Sequence, residues 1–140
     1  MSNNSNDRQD FLSSSNLDFN FKYTESGGLT ARYLTISYDS KTNFLTSSTD
    51  VSGSNISQRP ISESDKAELK NAITENDFFN TKTDYPPEKE DPSLIAYSLT
   101  AALGTKTHST TWTNASKEMS NSITKIVDEI KELISKEKVV

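Results

Sequence analysis

The chain holds a single histidine, His108, and no cysteine, so the groups that most often relay protons or attack carbonyls are nearly missing. A serine or threonine nucleophile would have to draw its base from His108. Its neighbours Thr107, Ser109 and Thr110 lie in a strand-like run with no nucleophile elbow and no glycine-rich oxyanion loop, and His108 reads as a half-exposed strand residue. Metal chemistry is equally thin. No HExxH is present, and Asp84, Glu88, Glu90 and Asp91 lack the spacing of a calcium loop, so they read as a solvated acidic loop. Gly27-Gly28 is followed by neither a helix start nor a P-loop lysine, so it is no phosphate cradle. The residues predict no catalytic group, no metal, no cofactor and no enzyme.

Charge narrows the partners. Twenty acidic residues against 15 basic ones give a net charge of −5 and a pI near 4.9, whereas nucleic acids and anionic membrane surfaces require clustered Lys and Arg. Neither partner is expected. Phe19, Phe21, Tyr23, Tyr97 and Trp112 could stack on bases only with positive charge nearby, and they read as core. The absence of cysteine excludes disulfides. The segment Met1 to Asp7 lacks the basic start and apolar run of a signal peptide, and no stretch approaches the ~20 apolar residues of a membrane span. A cytoplasmic monomer is the expectation.

The elements that would position any site follow from periodicity. Residues 1–15 are mostly Ser, Asn, Asp and Gln, too polar to offset the entropy of ordering, and are expected to form a disordered tail ahead of one domain spanning 16–137. Leu17, Phe19, Phe21 and Tyr23 alternate with polar residues, and Leu34, Ile36 and Tyr38 do the same beyond Ser26-Gly27-Gly28. Two strands joined by a glycine pair make a hairpin. The Ser/Thr-rich stretch 46–60 reads as a flexible loop. Ser62, with Glu63 and Asp65 after it, opens a helix expected to run over 63–75, ahead of Asn76-Asp77-Phe78-Phe79. Tyr85-Pro86-Pro87 and Asp91-Pro92 forbid helix. Residues 94–113 then read as a second hairpin turning at Gly104-Thr105, which pairs Tyr97 with Trp112 and Ala101 with His108. Finally Met119, Ile123, Ile126, Val127, Ile130, Leu133 and Ile134 recur at helical spacing. The simplest solution is an α+β two-layer sandwich of order ββαββα, a four-stranded antiparallel sheet with both helices on one face and the other face wet.

The order and spacing of several short motifs carry a resemblance. Phe21-Lys22-Tyr23-Thr24-Glu25-Ser26-Gly27-Gly28, then Ile61-Ser62 and Asn76-Asp77-Phe78-Phe79, then Asp91, Tyr97-Ser98-Leu99 and Lys106-Thr107-His108, resemble the emfourin-like family, named for a protein inhibitor of protealysin. The similarity runs over residues 17 to 135. It implies an α/β sandwich and inhibition of a thermolysin-like zinc metalloprotease, with no zinc held by the inhibitor. Such proteases accept a bulky apolar side chain beside the zinc. The resemblance therefore implies a protease-binding loop made of Glu25, Ser26, Gly27, Gly28 and Leu29, with Leu29 presented from a glycine turn; the alternative for Leu29 is a strand residue packed on the core. The alternative function is a non-catalytic module that binds another protein.

Overall fold

The computed structural model describes residues 18–29, 31–49, 55–89, 91–116 and 119–139, with side chains as far as 135. The expected tail, residues 1–15, lies outside these residues. The elements in chain order are β1 (Phe19–Gly27), β2 (Arg32–Asp39), β3 (Phe44–Ser48), β4 (Ile56–Pro60), α1 (Glu63–Glu75), a 3-10 turn (Phe78–Asn80), β5 (Asp84–Tyr85), β6 (Ile95–Leu103), β7 (Lys106–Thr113) and α2 (Asn121–Val139).

The strands form one sheet in the order β4-β3-β2-β1-β6-β7-β5. It is α+β, as expected, but with seven strands rather than four, and mixed rather than wholly antiparallel, because β5 runs parallel to β7. Sequence pattern misses β3 and β4 for a physical reason. Of their residues only Leu45 is buried, so neither strand shows the apolar alternation that marks a half-buried strand. The backbone of β2 recruits β3 by pairing Asp39 with Phe44 and Thr35 with Ser48, and β3 in turn pairs with β4, Phe44 opposite Pro60 and Ser48 opposite Ile56. They occupy both ends of the stretch expected to be a loop, and residues 50–54 within it lie outside the described residues. The two-residue β5 is hidden in sequence by Pro86 and Pro87, which stop it at once. The second hairpin has the expected register, with Tyr97 opposite Trp112 and Ala101 opposite His108.

One face of the sheet carries the core. Phe19, Phe21 and Tyr23 from β1, Ile36 and Tyr38 from β2, and Leu99 and Ala101 from β6 pack against Leu69 and Ile73 of α1 and Ile123, Ile126, Ile130 and Leu133 of α2. The start of α1 is set by Ser62, whose hydroxyl accepts from the Asp65 N–H at 3.0 Å and so satisfies a donor that the first turn leaves unpaired. Its end is set by Asn76, whose side chain donates to the Ala72 carbonyl at 2.6 Å, and by Asp77, which turns into the left-handed region at φ 56°. Phe78 follows directly into the core. The opposite face is water-facing and rich in hydroxyls, with Thr24 bonded to Ser98 and Thr100 to Ser109 across strands. No described helix is long and apolar enough to cross a membrane.

Candidate functional site

The first hairpin ends in backbone that only glycine adopts freely. Gly27 has φ 101° and Gly28 has φ 80°, and Ala31 on the far side of the tip has φ 52°, all in the region where a Cβ meets the neighbouring carbonyl. Space is short as well: a Cβ on Gly27 would lie 3.1 Å from the Leu94 carbonyl oxygen, and one on Gly28 would lie 3.2 Å from Ile95 Cγ1. The tip is thus pressed against the chain entering β6. Gly28 N–H donates to the Leu94 carbonyl at 2.9 Å, and Ala31 N–H donates to the Gly28 carbonyl at 3.2 Å.

That supporting segment is itself fixed. The Asp91 carboxylate accepts from both the Ser93 N–H and the Ser93 hydroxyl at 2.8 Å, and the Ser93 backbone bond, then the hydroxyl bond, hold its carboxyl below the usual range. Leu94 N–H returns to the Asp91 carbonyl at 3.0 Å. Asn114, just past β7, accepts from Ile95 N–H at 3.1 Å and donates its own N–H to the Ile95 carbonyl at 3.2 Å. The hairpin tip, the turn at Asp91 and the end of β7 therefore form one braced end of the sheet.

Among the five candidate residues, the structure separates one from the rest. Leu29 is 82 % exposed, so it is not a core residue. Gly27 and Gly28 shape its support, and Ser26 is exposed on the water-facing side. Glu25 is different: it is fully buried, so it offers no surface to a partner. It stands beside Tyr97 in β6 and Leu34 in β2, on the helix-covered face.

The buried Glu25 carboxylate is neutralised by two cations. Lys131 Nζ of α2 lies 3.0 Å from its Oε2, and Arg32 Nε at the start of β2 lies 2.8 Å from its Oε1. The Tyr23 hydroxyl donates a short hydrogen bond to Oε2, whereas Oε1 makes no hydrogen bond, so its contact with Arg32 is one of charge. Burial alone would push the Glu25 carboxyl up, but the Tyr23 and Lys131 hydrogen bonds and the charges of Lys131 and Arg32 outweigh it and hold the group ionised below the usual range. Burial, then the bond to Glu25, raises the Tyr23 phenol far above its ordinary value. Sequence contained a signal for this burial that the hairpin reading passed over. Glu25 shares the parity of Phe19, Phe21 and Tyr23, so it points inward by the same two-residue period.

Other candidate chemistry is dispersed. The His108 ring packs edge-on against Phe78 at 5.1 Å and its Nε2 shares a hydrogen bond with the Thr81 hydroxyl at 3.1 Å. Among the described residues no group of three His, Asp or Glu side chains is placed to hold a metal. A cleft of about 280 Å³ opens between the sheet and α2, walled by Tyr97, Trp112, Met119, Asp128 and Lys131. Compared with known proteins, the chain matches no family model and no characterised relative at significant similarity.

Proposed function

We propose that this protein inhibits a thermolysin-like zinc metalloprotease by inserting the tip of its first hairpin into the active-site cleft, with Leu29 in the apolar pocket beside the zinc. The observation that carries this reading is the exposure of Leu29, 82 %, on a tip whose backbone is fixed on both sides. A large apolar side chain held in water gains on entering an apolar pocket. Fixing its backbone beforehand reduces the entropy that binding must otherwise overcome. The motif resemblance to the emfourin-like family supplies the class of partner. Tyr23, Glu25 and the glycines support the tip, and the contacting residues are Ser26, Gly28 and Leu29.

The test is inhibition of a panel of thermolysin-like proteases by the full chain and by its Leu29→Glu variant, with thermal unfolding measured alongside. A charge in the pocket would have to be stripped of water, while in the free protein it stays hydrated. The variant is therefore expected to lose inhibition and keep its Tm. Equal inhibition by a folded Leu29→Glu variant removes Leu29 from the interface, and no inhibition of any panel member by the wild-type chain removes the protease reading.

A further inference from the structure

Glu25 and Thr110 are fully buried polar side chains, and Thr110 has a plain reason to be inside. Its hydroxyl donates to the Lys82 carbonyl at 2.7 Å, which fastens the segment before β5 to β7. Glu25 has no such simple account. Replacing a buried ion pair by apolar side chains of similar size is often neutral or stabilising, so an acid among Tyr23, Leu34 and Tyr97 is not explained by stability alone.

What the carboxylate joins is more informative. Arg32 is the first residue of β2 and stands directly opposite Gly27, the last residue of β1; this is the rung that closes the hairpin. Lys131 belongs to α2, the element that covers the face. Both cations are about half exposed, 50 % for Arg32 and 47 % for Lys131, so each could stay in water without reaching inward. Glu25 draws them to one point, two residues from the tip.

We propose that Glu25 is a positioning residue: through Arg32 it locks the closing rung of the first hairpin, and through Lys131 it ties that rung to α2, so that Gly28 and Leu29 are presented in one geometry. The link from this geometry to binding rests on the inhibitor reading, whereas the locking does not. A buried carboxylate is suited to the task because it must be met by its cations and hydrogen-bond donors at defined positions, and in some proteins such a group specifies one arrangement where apolar packing does not.

Amide hydrogen exchange of the full chain decides the matter, because the tip N–H groups of Gly28 and Ala31 each have a defined acceptor. In Arg32→Gln, which removes a half-exposed side chain and leaves no internal void, these amides are expected to exchange about tenfold faster while amides in the centre of β1 and β6 keep their rates. Glu25→Gln should show the same local loss, and Arg32→Lys should restore part of it. Unchanged tip exchange in Arg32→Gln overturns the proposal, as does an equal acceleration of tip and core amides. Should Glu25→Gln fail to fold, Arg32→Gln decides alone. Inhibition is the second arm. If wild-type chain inhibits a thermolysin-like protease and Arg32→Gln inhibits it less, the positioning role extends to binding; if Arg32→Gln loosens the tip yet inhibits equally, that role is overturned. A wild-type chain that inhibits none removes the protease partner, and the exchange result still stands for the lock.

Discussion

Lys131 Nζ lies 3.0 Å from a Glu25 carboxylate that has no exposed surface, so a half-exposed charge on the helix layer meets a buried one on the strand beneath it. This contact has a definite pH dependence. The Glu25 carboxyl titrates lower in the folded chain than its ordinary value of 4.5, so across that interval the folded state binds fewer protons than the unfolded one and stability falls as pH falls. Its contribution is whole above 4.5 and is lost as pH drops through the lower folded value. Urea unfolding of wild type and Glu25→Gln should therefore differ most at neutral pH and converge as pH falls through the lowered folded value. A difference independent of pH would mean that the carboxyl titrates alike in the folded and unfolded chains, and one that grows as pH falls would mean that it is held neutral in the fold.

The core of the helix layer is expected to be intolerant of holes. Ile126 and Ile130 are fully buried, and truncation of either to alanine removes apolar contact and leaves a cavity that the sheet cannot collapse to fill. Each is expected to cost about 2–5 kcal/mol in denaturant unfolding. A near-neutral result would place α2 away from the sheet.

Gly27 should be the least replaceable residue of the first hairpin. Alanine there meets both an unfavourable φ of 101° and the Leu94 carbonyl oxygen at 3.1 Å, and backbone oxygen cannot step aside as a flexible side chain would. Gly27→Ala is expected to cost about 1–3 kcal/mol and to weaken the Gly28 to Leu94 hydrogen bond. Thermal unfolding with exchange at Gly28 reads both effects.

Asn43 makes a comparable test at the other end of the sheet. It sits at φ 60° in the turn between β2 and β3, accepts from the Tyr38 hydroxyl at 2.8 Å, and donates to the Ile61 carbonyl at 3.0 Å. Asn43→Ala loses the hydrogen bonds and meets the backbone penalty, at about 1–3 kcal/mol, whereas Asn43→Gly relieves the backbone and loses only the bonds. Chemical denaturation of the two variants separates the contributions. Equal stability of both would show that the φ value carries no cost.

Where burial was periodic, the sequence was legible. The stripe from Ile123 to Leu133 places α2 on the core, and the alternation of Ile95 to Leu103 with the Gly104 turn sets the register that brings Tyr97 onto Trp112. Legibility ended at the margins of the sheet. Phe44 and Ile56 face water although apolar, and Leu45 alone turns inward from β3, so those strands are held by backbone pairing, which leaves little trace in side-chain pattern. The site was readable to the same extent. Glycine pairing announces the tip of the hairpin, but the charges that gather behind it come from residues far apart in the chain, Glu25 and Lys131, and only packing of α2 on the sheet brings them together.

Trp112 is the chain's sole tryptophan; its ring stacks nearly parallel on Tyr97 at 5.6 Å and lies tilted to Tyr23 at 6.3 Å, on the rung that also holds Glu25. Its indole is almost wholly out of water. Intrinsic fluorescence is thereby reported from the hairpin end of the sheet, where the tip, α2 and the ion cluster meet. A partner settling on that end, or a loosening of the helix above it, is expected to alter the emission, and events at Phe44 or Ile56, on the far strands β3 and β4, to affect it less. The molecule thus carries an unlabelled optical gauge of its own braced end.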